Sequence, residues 1–116
     1  MHELAITQNL IAMIDTECKK HHILNPTKII VDLGFFTTYS KDSILFYYNI
    51  LRKELPFLRK AKLQINTVEG KIFCEDCHRK SIVKDPHMIL CQKCHSFNVQ
   101  ILQGREFLLK EICKGE

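Results

Sequence analysis

Apolar and polar residues recur along this chain with two different periods, and the changes between periods mark its elements. Over residues 4–20, Ile6, Leu10, Ile14 and Cys18 fall near one helical face, which Leu4, Ile11 and Met13 widen. This spacing predicts an amphipathic helix. His21, His22, Asn25 and Pro26 end it. From 28 to 34 the period shortens to two: Ile29, Val31 and Leu33 alternate with polar neighbours, and Gly34 closes a predicted strand. Residues 41–54 return to the helical period, with Ile44, Tyr48, Leu51 and Leu55 as the stripe. Ser40 or Asp42 can cap that helix, and Pro56 stops it. A second strand is predicted over 61–68, where Leu63 and Ile65 alternate with Lys62, Gln64 and Asn66.

Beyond Gly70 neither period holds. Residues 71–99 carry only short apolar pieces, Ile72-Phe73, Ile82-Val83 and Met88-Ile89-Leu90, with Asp85-Pro86 as a turn. So short a segment cannot bury a sufficient core. It holds instead two Cys-x-x-Cys knuckles, Cys74/Cys77 and Cys91/Cys94, separated by thirteen residues. A two-residue spacer lets both sulfurs of a knuckle turn to one point, and the second knuckle closes a tetrahedron. Soft thiolates select Zn(II), and a closed four-cysteine site keeps no open position for a substrate, so the site is structural. Metal binding supplies the missing folding free energy, on the order of 10 kcal/mol in small zinc peptides. The segment reads as a zinc ribbon. After it Val99 and Ile101 alternate, Gly104 punctuates, and Phe107, Leu109 and Glu111 continue a last strand returning to the sheet of the first domain.

Composition narrows the class. A chain of 116 residues with 46% apolar content suits one domain, or a small domain with a metal-stapled satellite. No apolar run approaches the ~20 residues of a membrane span. The first residues have neither a basic nor a long apolar region, so no signal peptide is expected and the location is cytoplasmic. The six cysteines then read as thiols or metal ligands rather than disulfides. The net charge of +4 comes from scattered lysines and arginines, which supports nucleic-acid binding only weakly.

Each knuckle is followed by a histidine, His78 and His95. Cys-x-x-Cys-His is also the c-type haem attachment motif, but two haems do not suit a chain without an export signal and with a full globular pattern. Either imidazole is placed to exchange with a thiolate in a pH-dependent way, or to stay outside the ligand set as a surface residue or a partner to sulfur. Cys18 belongs to the apolar face of the first helix, and Cys113 is read as inert. The chain start, Met1-His2-Glu3, offers an amine, two adjacent amide nitrogens and one imidazole. Planar nitrogen coordination of that kind suits Ni(II) or Cu(II). The bland alternative is a solvated terminal histidine.

Together these residues resemble the HypA/HybF family of hydrogenase and urease nickel-incorporation proteins. The matching points are Met1-His2-Glu3-Leu4, the helix, the strand ending in Gly34, the second helix, both knuckles and the closing segment from Gly104 to Ile112. The resemblance covers nearly the whole chain in order. It implies an α+β fold: two helices packed on a three-stranded sheet, forming a nickel domain of residues 1–70 plus 103–116, with an inserted zinc ribbon of 71–102. It also implies that nickel is held by the His2 ring, the Met1 amine and backbone nitrogens of His2 and Glu3, and that Cys74, Cys77, Cys91 and Cys94 hold zinc. The implied protein is a metallochaperone and not an enzyme. Its implied partners are a HypB-type GTPase, the large subunit of a nickel-iron hydrogenase and, in some relatives, urease maturation proteins. It would act as a monomer or homodimer, away from membranes and nucleic acid. Two features depart from the family pattern: His78 and Gln92 stand where glycine or proline is common, and Phe35–Tyr39 is unusually aromatic, as an interface patch would be. Two rival functions follow from the residues alone. A nucleic-acid-binding zinc ribbon would use the basic balance with Tyr39, Tyr47 and Tyr48, and a thiol redox enzyme would use reactive cysteines.

Overall fold

In a computed structural model describing residues 2–114, the chain forms two α-helices and six strands. These are α1 (His2–Lys20), β1 (Pro26–Gly34), α2 (Lys41–Leu51), β2 (Lys62–Val68), β3 (Lys71–Cys74), β4 (Lys80–Ile82), β5 (Val99–Gln103) and β6 (Phe107–Lys114). The strands make two three-stranded sheets, ordered β2-β1-β6 and β4-β3-β5. This is the expected α+β class. Backbone contacts divide the chain into two compact units. One holds the residues up to Asp32, Tyr39–Asn66 and the stretch from Leu108; the other holds Leu33–Thr38 and Thr67–Phe107.

In the first unit α1 buries Thr7, Leu10, Ile14 and Cys18 and packs on α2, which buries Ile44 and Tyr48. Ile29 and Val31 from β1 and Ile65 from β2 complete this apolar interior. α1 starts at His2, two residues before the apolar stripe becomes visible. Periodicity cannot detect that first turn, because His2 and Glu3 are polar. Glu3 supplies an acid where the helix dipole favours one, and its Oε2 accepts the Ser40 N–H at 2.9 Å. Ser40 in turn caps α2, its Oγ accepting the Ser43 N–H at 3.2 Å. α2 ends at Leu51 rather than 54, and the remaining turn tightens to a 3-10 turn over Arg52–Glu54. The cause is Pro56, which forces Leu55 out of the helical region to φ −124°, ψ 98°.

The last strand joins the sheet of β1 and β2 as expected, but it does not include Val99 and Ile101. Val99–Gln103 and Phe107–Lys114 are two strands in two different sheets. Gly104 breaks them apart with φ +118°, a conformation that a side chain would strain. Gly34 faces it so closely that a Cβ there would strike the Gly104 carbonyl. Two short backbone bonds lock the approach: Gly34 N–H to the Glu106 carbonyl (2.6 Å) and Phe36 N–H to the Gly104 carbonyl (2.7 Å). Phe35 and Phe36 meet edge to face at 5.5 Å, and both rings lie over Gly70. The aromatic stretch is therefore half-buried packing rather than an exposed patch.

Tyr48 is fully buried, and its hydroxyl donates to the Ala61 carbonyl at 2.7 Å, an acceptor it shares with Arg52 Nη1 at 2.8 Å. Burial pushes the phenol up to about 12. Because the folded value lies above the unfolded one (about 10), the stabilisation is complete below pH 10 and is lost as pH rises toward 12. Tyr48→Phe should cost about 1 kcal/mol at neutral pH. Comparing the denaturant midpoints of both proteins from pH 9 to 12 should show the variant losing stability less steeply; parallel curves would refute the assignment.

Candidate metal centre

The second unit has a small apolar interior: Leu33, Ile72 and Val83 are buried, together with the sulfur-bearing Cys74 and Cys91. Its sheet is antiparallel, with β3 central, Phe73 opposite Lys80 on β4 and opposite Gln100 on β5. A register shift between Lys71 and Ile72 bends the β3–β5 pairing. The expected turn at Asp85-Pro86 forms, with the His87 N–H on Asp85 Oδ1 (2.9 Å) and the Met88 N–H on the Asp85 carbonyl (3.0 Å).

Both knuckles carry the same backbone bonds. In the first, Cys74 N–H donates to the Arg79 carbonyl (2.9 Å) and His78 N–H returns to the Cys74 carbonyl (2.9 Å). In the second, Cys91 N–H donates to Ser96 (2.8 Å) and His95 N–H returns to Cys91 (2.9 Å). Each turn closes with its histidine in the left-handed region, His78 at φ 58° and His95 at φ 65°. That conformation is costly for most side chains and costs glycine nothing. The histidine backbones thus shape the knuckles, while their rings stay exposed; His78 lies edge-on to Phe73 at 6.1 Å between centroids.

The four sulfurs of Cys74, Cys77, Cys91 and Cys94 lie within 4.8 Å of one another. Cys74 and Cys94 are 3.5 Å apart and Cys77 and Cys91 3.6 Å. A tetrahedral ion with metal–sulfur bonds of about 2.3 Å needs sulfurs about 3.8 Å apart, so the donor set fits a Zn(II)-sized ion. Among the described residues, no histidine joins this cluster.

Amide donors tune the sulfurs. The N–H groups of Cys94 (3.4 Å) and Lys93 (3.3 Å) point at Cys91 Sγ and bring its thiol down to about 6. At Cys77, burial is the strongest influence and opposes ionisation, but the bonds from the Arg79 side chain and amide and from Cys74 together lower the thiol. At Cys94 the Ser96 amide pulls downward, yet the crowded sulfurs of Cys74, Cys77 and Cys91 prevail and hold it at about 12. Four sulfurs this close cannot all ionise without a cation; a dication would hold all four as thiolates and release the protons they still carry.

Sequence reasoning missed a polar clasp between the knuckles. Asp76, inside the first, accepts the Ser96 hydroxyl on Oδ2 and the Asn98 side-chain amide on Oδ1 (3.2 Å). Ser96 Oγ also accepts the Asn98 N–H (3.0 Å), and the Asn98 carbonyl accepts the Glu75 N–H (2.9 Å). Those bonds hold the Asp76 carboxyl below its ordinary value, Ser96 contributing most. The Ser-x-Asn turn was visible locally; its distant partner was not.

The remaining candidates fall elsewhere. Met1 lies outside the described residues, whereas His2 is exposed and Glu3 half-buried at the start of α1. Burial raises the Cys18 thiol, and a bond to Glu111 raises Cys113, so neither is a poised thiolate. Tyr48 is buried and Tyr39 and Tyr47 half-buried, which gives the described tyrosines no exposed ring for stacking bases.

Removing the clasp should loosen the metal without unfolding the first unit. Asp76→Ala is expected to speed zinc release to a chelator by about tenfold, the scale of partners that orient metal ligands. Asp76→Asn, which keeps one acceptor oxygen, should recover part of it. Equal release rates in all three proteins would show the clasp to be idle.

Comparison with known proteins agrees over the full length. The model of the family "Hydrogenase/urease nickel incorporation, metallochaperone, hypA" matches residues 1–113. A hydrogenase maturation factor HypA from Moorella thermoacetica is 31% identical over 116 residues, covering 100% of both chains. The hydrogenase/urease maturation factor HypA of Helicobacter pylori is 30% identical over 112 residues, covering 94% of this chain and 93% of that one. The solution structure of the Ni metallochaperone HypA from Helicobacter pylori superposes with a TM-score of 0.70 at 27% identity, covering 98% and 97% of the two chains. With the fold, the sulfur cluster and a match spanning nearly every residue in agreement, the chain belongs to the HypA family of nickel metallochaperones in hydrogenase and urease maturation.

Proposed function

We propose that this chain carries Ni(II) at its N-terminus and hands it on during maturation of nickel-iron hydrogenase, and of urease where the cell has one. The observation that carries the reading is the position of His2 and Glu3 in the first turn of α1. In the first turn of a helix the N–H groups lie outside the i→i−4 ladder, and the Glu3 N–H bonds its own carboxylate. The imidazole of His2 is exposed, and the Glu3 carboxylate ties the turn to Ser40 of the α2 cap. With the Met1 amine, two backbone nitrogens and the His2 ring, the site is planar and all-nitrogen. Such a field suits Ni(II) and disfavours Zn(II). A site at a chain end opens easily, as release requires.

On this reading the nickel-handling part comprises residues 1–70 and 103–116, and residues 71–102 form the ribbon. Zn(II) sits among Cys74, Cys77, Cys91 and Cys94 as a structural ion. His78 and His95 stay outside its ligand set and close the knuckles through their backbones. The protein works in the cytoplasm, transfers metal without making or breaking covalent bonds, and meets a HypB-type GTPase and the hydrogenase large subunit.

Titration with Ni(II) tests the terminal site. Protein with an authentic start should bind one nickel per chain, while His2→Ala, or extra residues ahead of Met1, should abolish binding. Glu3→Ala should still bind, since Glu3 offers its backbone. Undiminished loading of the extended protein would end the proposal. For the zinc site, X-ray absorption should show the same all-sulfur shell at neutral and mildly acidic pH; nitrogen replacing sulfur at the lower pH would bring His78 or His95 into the shell.

A further inference from the structure

We infer that the first unit carries a docking cleft for an acidic, leucine-bearing peptide segment of a partner protein, built by the α1–β1 turn and the residues after Pro56. The cleft has a volume of about 790 Å³, and His22, Leu24, Pro56, Arg59, Lys60 and Lys114 are among its lining residues. Among the described residues, no aspartate or glutamate lines it, so the charge they bring to it is of one sign. Among the described residues, the ion pairs engage Lys19, His21 and Lys110, and none engages Arg59, Lys60 or Lys114. The whole chain has a net charge of only +4, so three cations around one cleft are a concentrated share of it. Concave walls focus such a field and attract anionic ligands.

A second observation narrows the ligand. Leu24, on the rim, is 80% exposed, more than any other large apolar side chain among the described residues. An exposed leucine beside these cations matches a segment that alternates carboxylates with an apolar anchor. Nucleic acid fits less well, because among the described residues no phenylalanine, tyrosine or tryptophan ring lines the cleft to stack a base. A free phosphate would fill only a small part of the volume. Neither the nickel site nor the sulfur cluster contributes to the cleft, so the inference stands apart from the metal reading.

The test uses the full chain, zinc-loaded and without nickel, so a failure leaves the metal reading untouched. The probe is a fluorescein-labelled peptide of alternating glutamate pairs and leucines, with a glutamine-for-glutamate peptide as control. The acidic peptide should shift backbone amide resonances around residues 22–28 and 57–62, and its affinity should fall as salt rises. Arg59→Glu with Lys60→Glu should weaken it by about tenfold or more, as reversal of steering charges does. Leu24→Ser should weaken it by about threefold, the scale of one small apolar anchor. Lys80→Glu with Lys84→Glu, in the other unit, should leave it within about twofold, since screened distant charges matter little. Arg59→Gln with Lys60→Gln guards against a folding artefact of charge reversal. Three outcomes would overturn the inference: equal binding of the glutamine peptide, resonance shifts centred elsewhere, or tighter occupation of the same residues by oligothymidylate or by vesicles of anionic lipid.

Discussion

Four sulfur atoms must come within 4.8 Å of one another, and the second unit is organised around that demand. Its strands β3, β4 and β5 are four, three and five residues long, and few apolar side chains are buried between them. Ordering each residue costs on the order of 1–2 kcal/mol of backbone entropy, which so small an interior cannot offset. A structural dication held there would contribute on the order of 10 kcal/mol and change the balance. The matched knuckle bonds, the left-handed His78 and His95, the amides aimed at Cys91 and the Asp76 clasp all bring the sulfurs to the separation that such an ion requires.

The first unit is held differently. Its stability comes from the buried faces of α1 and α2 against the inner residues of β1 and β2, with Tyr48 as a satisfied polar group inside. Only at its edge does it become chemically specific. The Glu3–Ser40 bond joins the first turn of one helix to the cap of the next, so the start of α1 is placed by tertiary structure as well as by helix propensity. A site at that start would combine a fixed base with an open end. The sulfur cluster is arranged in the opposite way, with Cys74 and Cys91 buried and all four sulfurs within 4.8 Å of one another.

Much of this was legible in the chain because its signals are local. The apolar stripe from Ile6 to Cys18, the alternation in Ile29, Val31 and Leu33, the Ser40 cap and the two-residue cysteine spacers each depend on neighbours a few positions away. The errors came where distant backbone decided. Nothing local in Val99–Glu111 says that its two halves join different sheets; that follows from Gly34 pressing on Gly104 and from the two bonds across that approach. The α1 start was hidden because His2 and Glu3 are polar, and the carboxylate that holds the turn reaches a residue 37 positions away.

By itself, the sequence determined the α+β class, the helical faces, which four cysteines cluster and the family pattern. These rest on side-chain period and short-range ligand spacing, which the covalent chain imposes before it folds. Only the tertiary structure decided how the closing segment divides between sheets, that Asp76 reaches Ser96 and Asn98, and that Leu24, Arg59, Lys60 and Lys114 border one cleft. Those relations join residues far apart along the chain, and no local preference encodes which distant backbone or side chain will be the neighbour.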